Sequence, residues 1–255
     1  MPSRPKLRAS LCLIVWNELA GCRLDVPRLP RELFAEVYAV DGGSTDGTVE
    51  YLEAQGIPVH RQPRRSLNAA YSHAVDQCTT EAVVVFFPKG TIDPACVVSL
   101  RRLLAEGHDL VVASRNLPGA RNEEDGRVFK PRKWGVEALS LAAALLWRRE
   151  GPRLLDVLHG VKAFTVESYR RMKLSDTGVT IDLEMTVRAY RLRLSRTEFP
   201  VAEQGRHAGQ TRFKILPTGR RLAGFLWREL VRPVDLDLPH PPSSPASGPE
   251  QQPLQ

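Results

Sequence analysis

Long apolar runs are missing from this chain. The longest, Ala82–Pro88 and Leu139–Trp147, fall far short of the ~20 residues a membrane-spanning helix needs, so no span is expected. Cysteine is scarce: four among 255 residues, at Cys12, Cys22, Cys78 and Cys96, with no CxxC pair. Three of them sit in or beside apolar runs, which favours buried thiols in a reducing compartment. The histidines at 60, 73, 108, 207 and 240 are scattered and form no metal-binding pair. Aromatic residues make up only 7% of the chain, and the basic residues are not interleaved with them, which argues against a nucleic-acid binder. Basic Arg4, Lys6 and Arg8 precede the apolar run Leu11–Trp16 as they would in a signal peptide, but Asn17 and Glu18 end that run early. A cytoplasmic chain is the expectation.

What is present reads as an ordinary globular protein. Hydrophobic residues make up 42% and charged residues 25%, enough for a sizeable core in one or two domains. Lys and Arg outnumber Asp and Glu by 36 to 29, a balance that suits anionic partners. Short apolar runs at Leu11–Trp16, Glu36–Val40, Ile57–His60, Ala82–Phe87 and Asp109–Ser114 read as strands. Helical patterns at Thr48–Gln55, Leu67–Gln77 and Pro94–Glu106 fall between them. Strands without polar alternation suit a parallel sheet covered on both faces, so the fold class is α/β with right-handed crossovers. A charged, Gly- and Pro-containing loop at 115–133 interrupts the pattern. Beyond it come a helix at Trp134–Arg149, a strand at Val157–Phe164, helices at Val166–Met172 and Ile181–Arg191, a strand at Leu194–Pro200 and a last helix at Thr218–Arg232.

The most informative segment is Glu36-Val-Tyr-Ala-Val-Asp41-Gly-Gly-Ser-Thr-Asp46-Gly-Thr48. It puts a carboxylate at the C-terminal end of a strand, before a flexible turn into a helix, where open α/β sheets bind ligands. Asp41 could accept hydrogen bonds from a base imide or a ribose hydroxyl, and Gly42 and Gly43 would let backbone approach that ligand. The plainer reading is a βα turn in which Ser44 or Asp46 caps the helix. The segment fits neither GxGxxG nor GxxxxGK[ST], which weakens the dinucleotide and P-loop readings.

Val15-Trp16-Asn17-Glu18 followed by Val40-Asp41-Gly42-Gly43-Ser44-Thr45-Asp46-Gly47-Thr48 resembles the opening of family 2 inverting glycosyltransferases. Three later segments are similar to motifs of the polyprenyl-phosphate sugar synthases, the dolichol-phosphate mannose synthase type: Asp156-Val-Leu-His159-Gly160-Val-Lys162-Ala-Phe164, Ile181-Asp182-Leu183-Glu184, and Arg206-His-Ala-Gly209-Gln-Thr211-Arg212. Ala113-Ser114-Arg115 resembles the family's Gly-Ser-Arg. The resemblance implies a GT-A fold, with a mostly parallel Rossmann-like sheet flanked by helices over residues 1–215. An amphipathic helix at 216–232 and a disordered Pro-rich tail at 233–255 would follow. It implies a nucleotide-diphospho-sugar donor and a polyprenyl-phosphate lipid or glycan acceptor. It places Asn17, Glu18, Asp41, Gly43, Ser44, Asp46, Arg115, Lys162, Arg206 and Arg212 around the substrates.

One departure stands out. The family's metal-binding Asp-x-Asp should follow the strand at 82–86, where this chain has Phe87-Pro88-Lys89-Gly90. Mg²⁺ and Mn²⁺ need oxygen ligands, which Phe and Lys do not supply. No cofactor and weak or absent metal dependence are therefore expected, with Lys89 taking part of the cation's role. A Lys about 4 Å from a phosphate oxygen is worth roughly 4 kcal/mol at an effective dielectric near 20. A lipid phosphate needs no deprotonation, whereas a carbohydrate hydroxyl would need a carboxylate base, for which Asp182 and Glu184 are the candidates. At about 100° per residue these two lie about 200° apart on their helix and cannot share a face. The family match turns Glu184 inward; a surface pair with Arg188 is the plain alternative. The Arg-flanked apolar helices suggest a peripheral site on the inner membrane face. A non-catalytic nucleotide-sugar binder is the reading from another class.

Overall fold

The computed structural model describes residues 7–126, 128–205 and 215–237. Seven strands form one sheet: β1 (Ala9–Val15), β2 (Glu36–Asp41), β3 (Val59–Arg61), β4 (Ala82–Phe86), β5 (Leu110–Ser114), β6 (Lys162–Thr165) and β7 (Arg196–Pro200). Their spatial order is β3-β2-β1-β4-β6-β5-β7. All neighbours run parallel except β6, which is antiparallel to both β4 and β5. This is the expected mostly parallel α/β sheet. β1, β4 and β5 are buried along their whole length, which is why they read as continuous apolar runs.

The helices are α1 (Leu19–Asp25), α2 (Thr48–Ala54), α3 (Leu67–Gln77), α4 (Cys96–Ala105), α5 (Pro131–Trp147), α6 (Val166–Arg171), α7 (Ile181–Arg191) and α8 (Ile215–Val231). On one face of the sheet, Leu11, Leu13, Val84 and Phe86 pack with Cys22 of α1, Leu52 of α2 and Leu100 of α4. On the other, Cys12, Ile14, Val83 and Val85 pack with Tyr71 of α3, Ala143 of α5, Val187 of α7 and Phe225 of α8. Residues 181–190 of α7 are buried on every side, so this helix lies inside the layer rather than on it.

Several boundaries depart from the sequence reading. The strand expected at Val157–Phe164 shortens to Lys162–Thr165, because Asp156–Val161 is a loop tied to β5. Its anchors are Arg115 on Asp156, and His159 Nδ1 against the Ala113 carbonyl oxygen. α1 is seven residues long and was not anticipated; Asn17, at φ 50°, turns the chain into it. α5 begins at Pro131 because Glu124 accepts the backbone N–H groups of Arg132 and Lys133 at its first turn. The C-terminal helix buries Leu222 and Phe225 in the core and leaves Arg220, Arg221 and Arg228 exposed. Arg188 pairs with Glu229 of that helix at 3.5 Å and not with Glu184. Beyond it, Leu236 is buried; the remainder of the expected tail, 238–255, lies outside the described residues.

Candidate active site

In an open α/β sheet the ligand crevice lies outside the carboxyl ends of the strands, where the strand order reverses. Here that point lies between β1 and β4, since β2 and β3 extend to one side and β6, β5 and β7 to the other. The turns after β1, β2 and β4 meet there.

The turn after β2 is self-contained. Asp41 ends the strand opposite Val15 and is buried. Its carboxylate accepts the Gly43 N–H at 2.8 Å, the Ser44 N–H at 3.0 Å and the Ser44 hydroxyl at 2.5 Å. The carboxylate expected to read a base or ribose is thus spent largely on its own loop, and Gly43 adopts φ 89° to close it. Asn17 locks the β1 turn to this loop, donating its N–H to Ser44 Oγ (2.8 Å) and accepting the Thr45 N–H (2.7 Å). Glu18 donates its N–H to Thr48 Oγ1 at 3.0 Å. Asp46 accepts from Thr48 and from the Leu19 N–H at the start of α1. Partial burial raises its pKa, but these hydrogen bonds win and hold it below its ordinary value. The capping reading of Asp46 therefore describes its contacts, and it serves α1 as well as α2. Trp16 carries the Arg65 guanidinium at 4.3 Å and closes over Gly42, where a Cβ would lie 3.1 Å from the Trp16 Cβ.

An open cleft of about 320 Å³ starts at the β4 turn and runs between α5, the loop at 158–161 and the first part of α8. Its apolar wall includes Leu67, Phe87, Ile92, Val136, Leu139 and Leu222, and its cationic residues are Lys89, Arg115 and Arg132. Three carboxylates also line it, each in an ion pair: Glu123 with Arg132 at 2.9 Å, Asp182 with Lys162 at 2.7 Å, and Glu203 with Arg115 at 3.0 Å. Lys162 is buried, as the first residue of the reversed strand, so Asp182 satisfies a charge that would otherwise be stranded. The Tyr71 hydroxyl donates to the Gly160 carbonyl oxygen (2.6 Å) and lies 3.5 Å from Asp182 Oδ1.

The two α7 carboxylates are both buried and point to different places. Asp182 faces the cleft. Glu184 is also buried, but it points at the loop before α7, accepting from Asn68 Nδ2 (3.2 Å), the Ser175 N–H (3.0 Å) and the Thr180 hydroxyl. Arg115, expected to orient an acceptor phosphate, instead clamps Asp156 through Nε (2.7 Å) and Nη2 (2.9 Å). Burial would raise the Asp156 carboxyl, but the Arg115 charge and hydrogen bonds outweigh it and bring the pKa to about 2. Burial, then the Arg115 charge, lowers His159 to about 3, so its imidazole is neutral. Arg206 and Arg212 lie outside the described residues. Sequence reasoning did not select Phe87, Glu123, Arg132 or Glu203 as site residues. Of these, Phe87 enters the sequence reading as the first residue of the segment that stands where the Asp-x-Asp motif should be.

Among the described residues, the β4 corner offers no set of oxygen ligands for a metal, since the carboxylate that meets the turn, Asp25, accepts the Gly90 N–H. Phe87, Pro88 and Lys89 bring no side-chain oxygen, and the nearest acidic residue in sequence, Asp93, pairs with Arg28 at 2.9 Å and caps the Ala95 N–H. Among the described residues, no cluster of three His, Cys, Asp or Glu side chains is arranged to hold an ion.

Comparison with known proteins decides the family. The glycosyl transferase family 2 profile matches residues 11–177. The chain belongs to that family. It is 30% identical over 203 residues to glycosyltransferase AglJ of Haloferax volcanii, covering 79% of this chain and 63% of that protein. The chain thus spans less than two thirds of that relative's length. The fold is also that of glucosyl-3-phosphoglycerate synthase from Mycobacterium tuberculosis. Its structure with Mn²⁺, UDP-glucose and glycerol 3-phosphate superimposes with a TM-score of 0.69, at 18% identity over 88% of this chain and 80% of that one. The complex with Mn²⁺ and UDP-glucose gives a TM-score of 0.67 at 19% identity, over 88% and 79% of the two chains. This family 2 chain therefore has the GT-A architecture that its motif order implied.

Proposed function

We propose that this family 2 chain is an inverting glycosyltransferase that moves a sugar from a nucleotide-diphospho-sugar to the phosphate of a polyprenyl-phosphate-type lipid carrier, with weak or no metal dependence. The observation that carries this reading is the cleft, whose apolar wall leads to Lys89 and Arg132 and whose carboxylates are each held by a cation. A carbohydrate hydroxyl would need one of those carboxylates as a base. A phosphate oxygen is already anionic. It forms the new bond to the anomeric carbon as the bond from that carbon to the diphosphate oxygen breaks, and the nucleoside diphosphate leaves with the electron pair. No proton has to move. An isoprenoid chain suits walls of Leu67, Val136, Leu139 and Leu222 better than a glycan does.

The approach of such a carrier is supported by the outer faces of the two helices that border the cleft. Leu141 and Leu145 on α5 and Trp227 and Leu230 on α8 are exposed, with Arg220, Arg221 and Arg228 on α8 and Arg232 just beyond it. Apolar side chains flanked by arginines suit the surface of an anionic bilayer. Among the described residues no helix is long and apolar enough to cross one.

The test is transfer from UDP-glucose, UDP-N-acetylglucosamine and GDP-mannose, with a short polyprenyl phosphate, the matching polyprenol and 3-phosphoglycerate as acceptors. Sugar should appear on the polyprenyl phosphate and not on the polyprenol. Transfer to the polyprenol or to 3-phosphoglycerate alone, or nucleotide binding without any transfer, would defeat the proposal.

A further inference from the structure

The turn after β4 is built more firmly than a surface loop requires. Gly21 of α1 packs against it so closely that a Cβ there would lie 2.3 Å from the Pro88 carbonyl oxygen and 2.6 Å from the Lys89 Cα. On the other side, a Cβ on Gly160 would lie 2.6 Å from the Phe87 ring. Asp25, buried at the end of α1, accepts the Gly90 N–H through Oδ2 at 2.7 Å. The Lys89 N–H closes the turn on the Phe87 carbonyl oxygen at 2.9 Å. Two glycines without room for a methyl group and one buried carboxylate thus fix four residues that contain one charge. That charge belongs to Lys89, which lines the cleft with its ammonium 4.7 Å from the Phe87 ring centroid.

This is the corner where the described residues offer no ligand set for a divalent cation, and it opens beside the crevice between β1 and β4. A diphosphate arriving there meets a lysine whose backbone is already held in place, so little ordering entropy remains to be lost on binding. We infer that Lys89, aimed by Gly21, Asp25 and Gly160, meets the donor's diphosphate, and that nucleotide binding at this site needs no divalent cation. Lys89 is the contact residue; Gly21 and Asp25 are positioning residues. The inference rests on the nucleotide-sugar donor proposed above.

Calorimetric titration of the whole chain with UDP and with GDP, in EDTA and in excess Mg²⁺ or Mn²⁺, tests it. One of the two should bind in EDTA, with an affinity within about threefold of that in metal. Lys89→Gln should weaken it at least about tenfold in both buffers, and Lys89→Arg by less than about threefold. Asp25→Ala should weaken it by about threefold or more, and Asp25→Asn, which keeps an oxygen for the Gly90 N–H, should restore it. If Asp25→Ala does not fold, Gly21→Ala serves in its place, and should also weaken binding. Binding that appears only with metal, or that is unchanged in Lys89→Gln, overturns the inference and leaves the donor reading intact. Equal binding by Asp25→Ala, Gly21→Ala and the parent overturns the positioning roles. No binding of either nucleotide under any condition defeats the donor reading, and this inference with it.

Discussion

Replacing Arg115 by methionine would strip the charge partner from a carboxylate that has no contact with solvent. The Asp156 side chain is 0% exposed and that of Arg115 17%, and they are joined at 2.7 and 2.9 Å. Removing one member of such a pair costs about 3–5 kcal/mol at neutral pH, and each kcal/mol lowers Tm by about 2–4 °C at this chain length, so a drop of about 6–20 °C is expected. The effect has a pH signature. In the parent, folding depresses the Asp156 pKa from 3.8 to about 2. That depression contributes about 2 kcal/mol of stability, present above pH 3.8 and lost as pH falls through about 2. In the variant burial, which raises the pKa, is opposed only by the backbone N–H of residue 115 and by His159, so protonation relieves the site at a higher pH than in the parent. The gap between parent and variant should therefore be widest at pH 7 and already narrower at pH 5. Thermal melts followed by circular dichroism at the two pH values measure both quantities. A variant melting within about 2 °C of the parent at pH 7, or a gap independent of pH, would refute the reasoning.

Two further outcomes follow from buried groups around the cleft. The His159 pKa is depressed from 6.5 to about 3, first by burial and then by the Arg115 charge, so its contribution is complete above pH 6.5 and is lost on acidification at up to about 1.4 kcal/mol per pH unit. The urea midpoint should fall between pH 6.5 and 5 in the parent and fall less in His159→Gln; equal slopes would contradict the assignment. Glu184→Ala should cost about 2–3 kcal/mol in urea unfolding, because Asn68, Ser175 and Thr180 lose their acceptor. Its nucleoside diphosphate affinity should stay within about twofold of the parent; weakened binding with unchanged stability would return Glu184 to the site.

The strand–helix alternation was legible because β1, β4 and β5 are covered on both faces, and burial of that kind writes an unbroken apolar run into the chain. α1 was not legible: seven residues are too few to show a period, and the carboxylate that accepts its first N–H, Asp46, lies 27 residues further along the chain. The position of Asp41 at a strand end was readable, but its carboxylate folding back onto Gly43 and Ser44 was not, because Asx turns and ligand sites use the same residue types. Helix phase separates Asp182 from Glu184 but does not aim them: Asp182 lines the cleft and Glu184 meets the loop before α7. On a helix buried all round, phase alone does not say which side faces the cavity. Arg115 stood out through the Ser114-Arg115 motif, whereas its partners come from 41 and 88 residues further along the chain.

The reversed strand has a consequence for the cohesion of the whole sheet. β3, β2, β1 and β4 form one slab and β5 with β7 another, and the four residues of β6 are the seam between them. Lys162, the first stitch of that seam, faces Val85 on one slab and Val112 on the other, and its ammonium holds Asp182 at the cleft. Loosening that stitch would free the two slabs from each other at the strand that borders the cleft, so the reversed joint of this sheet lies beside an opening lined by side chains of both signs.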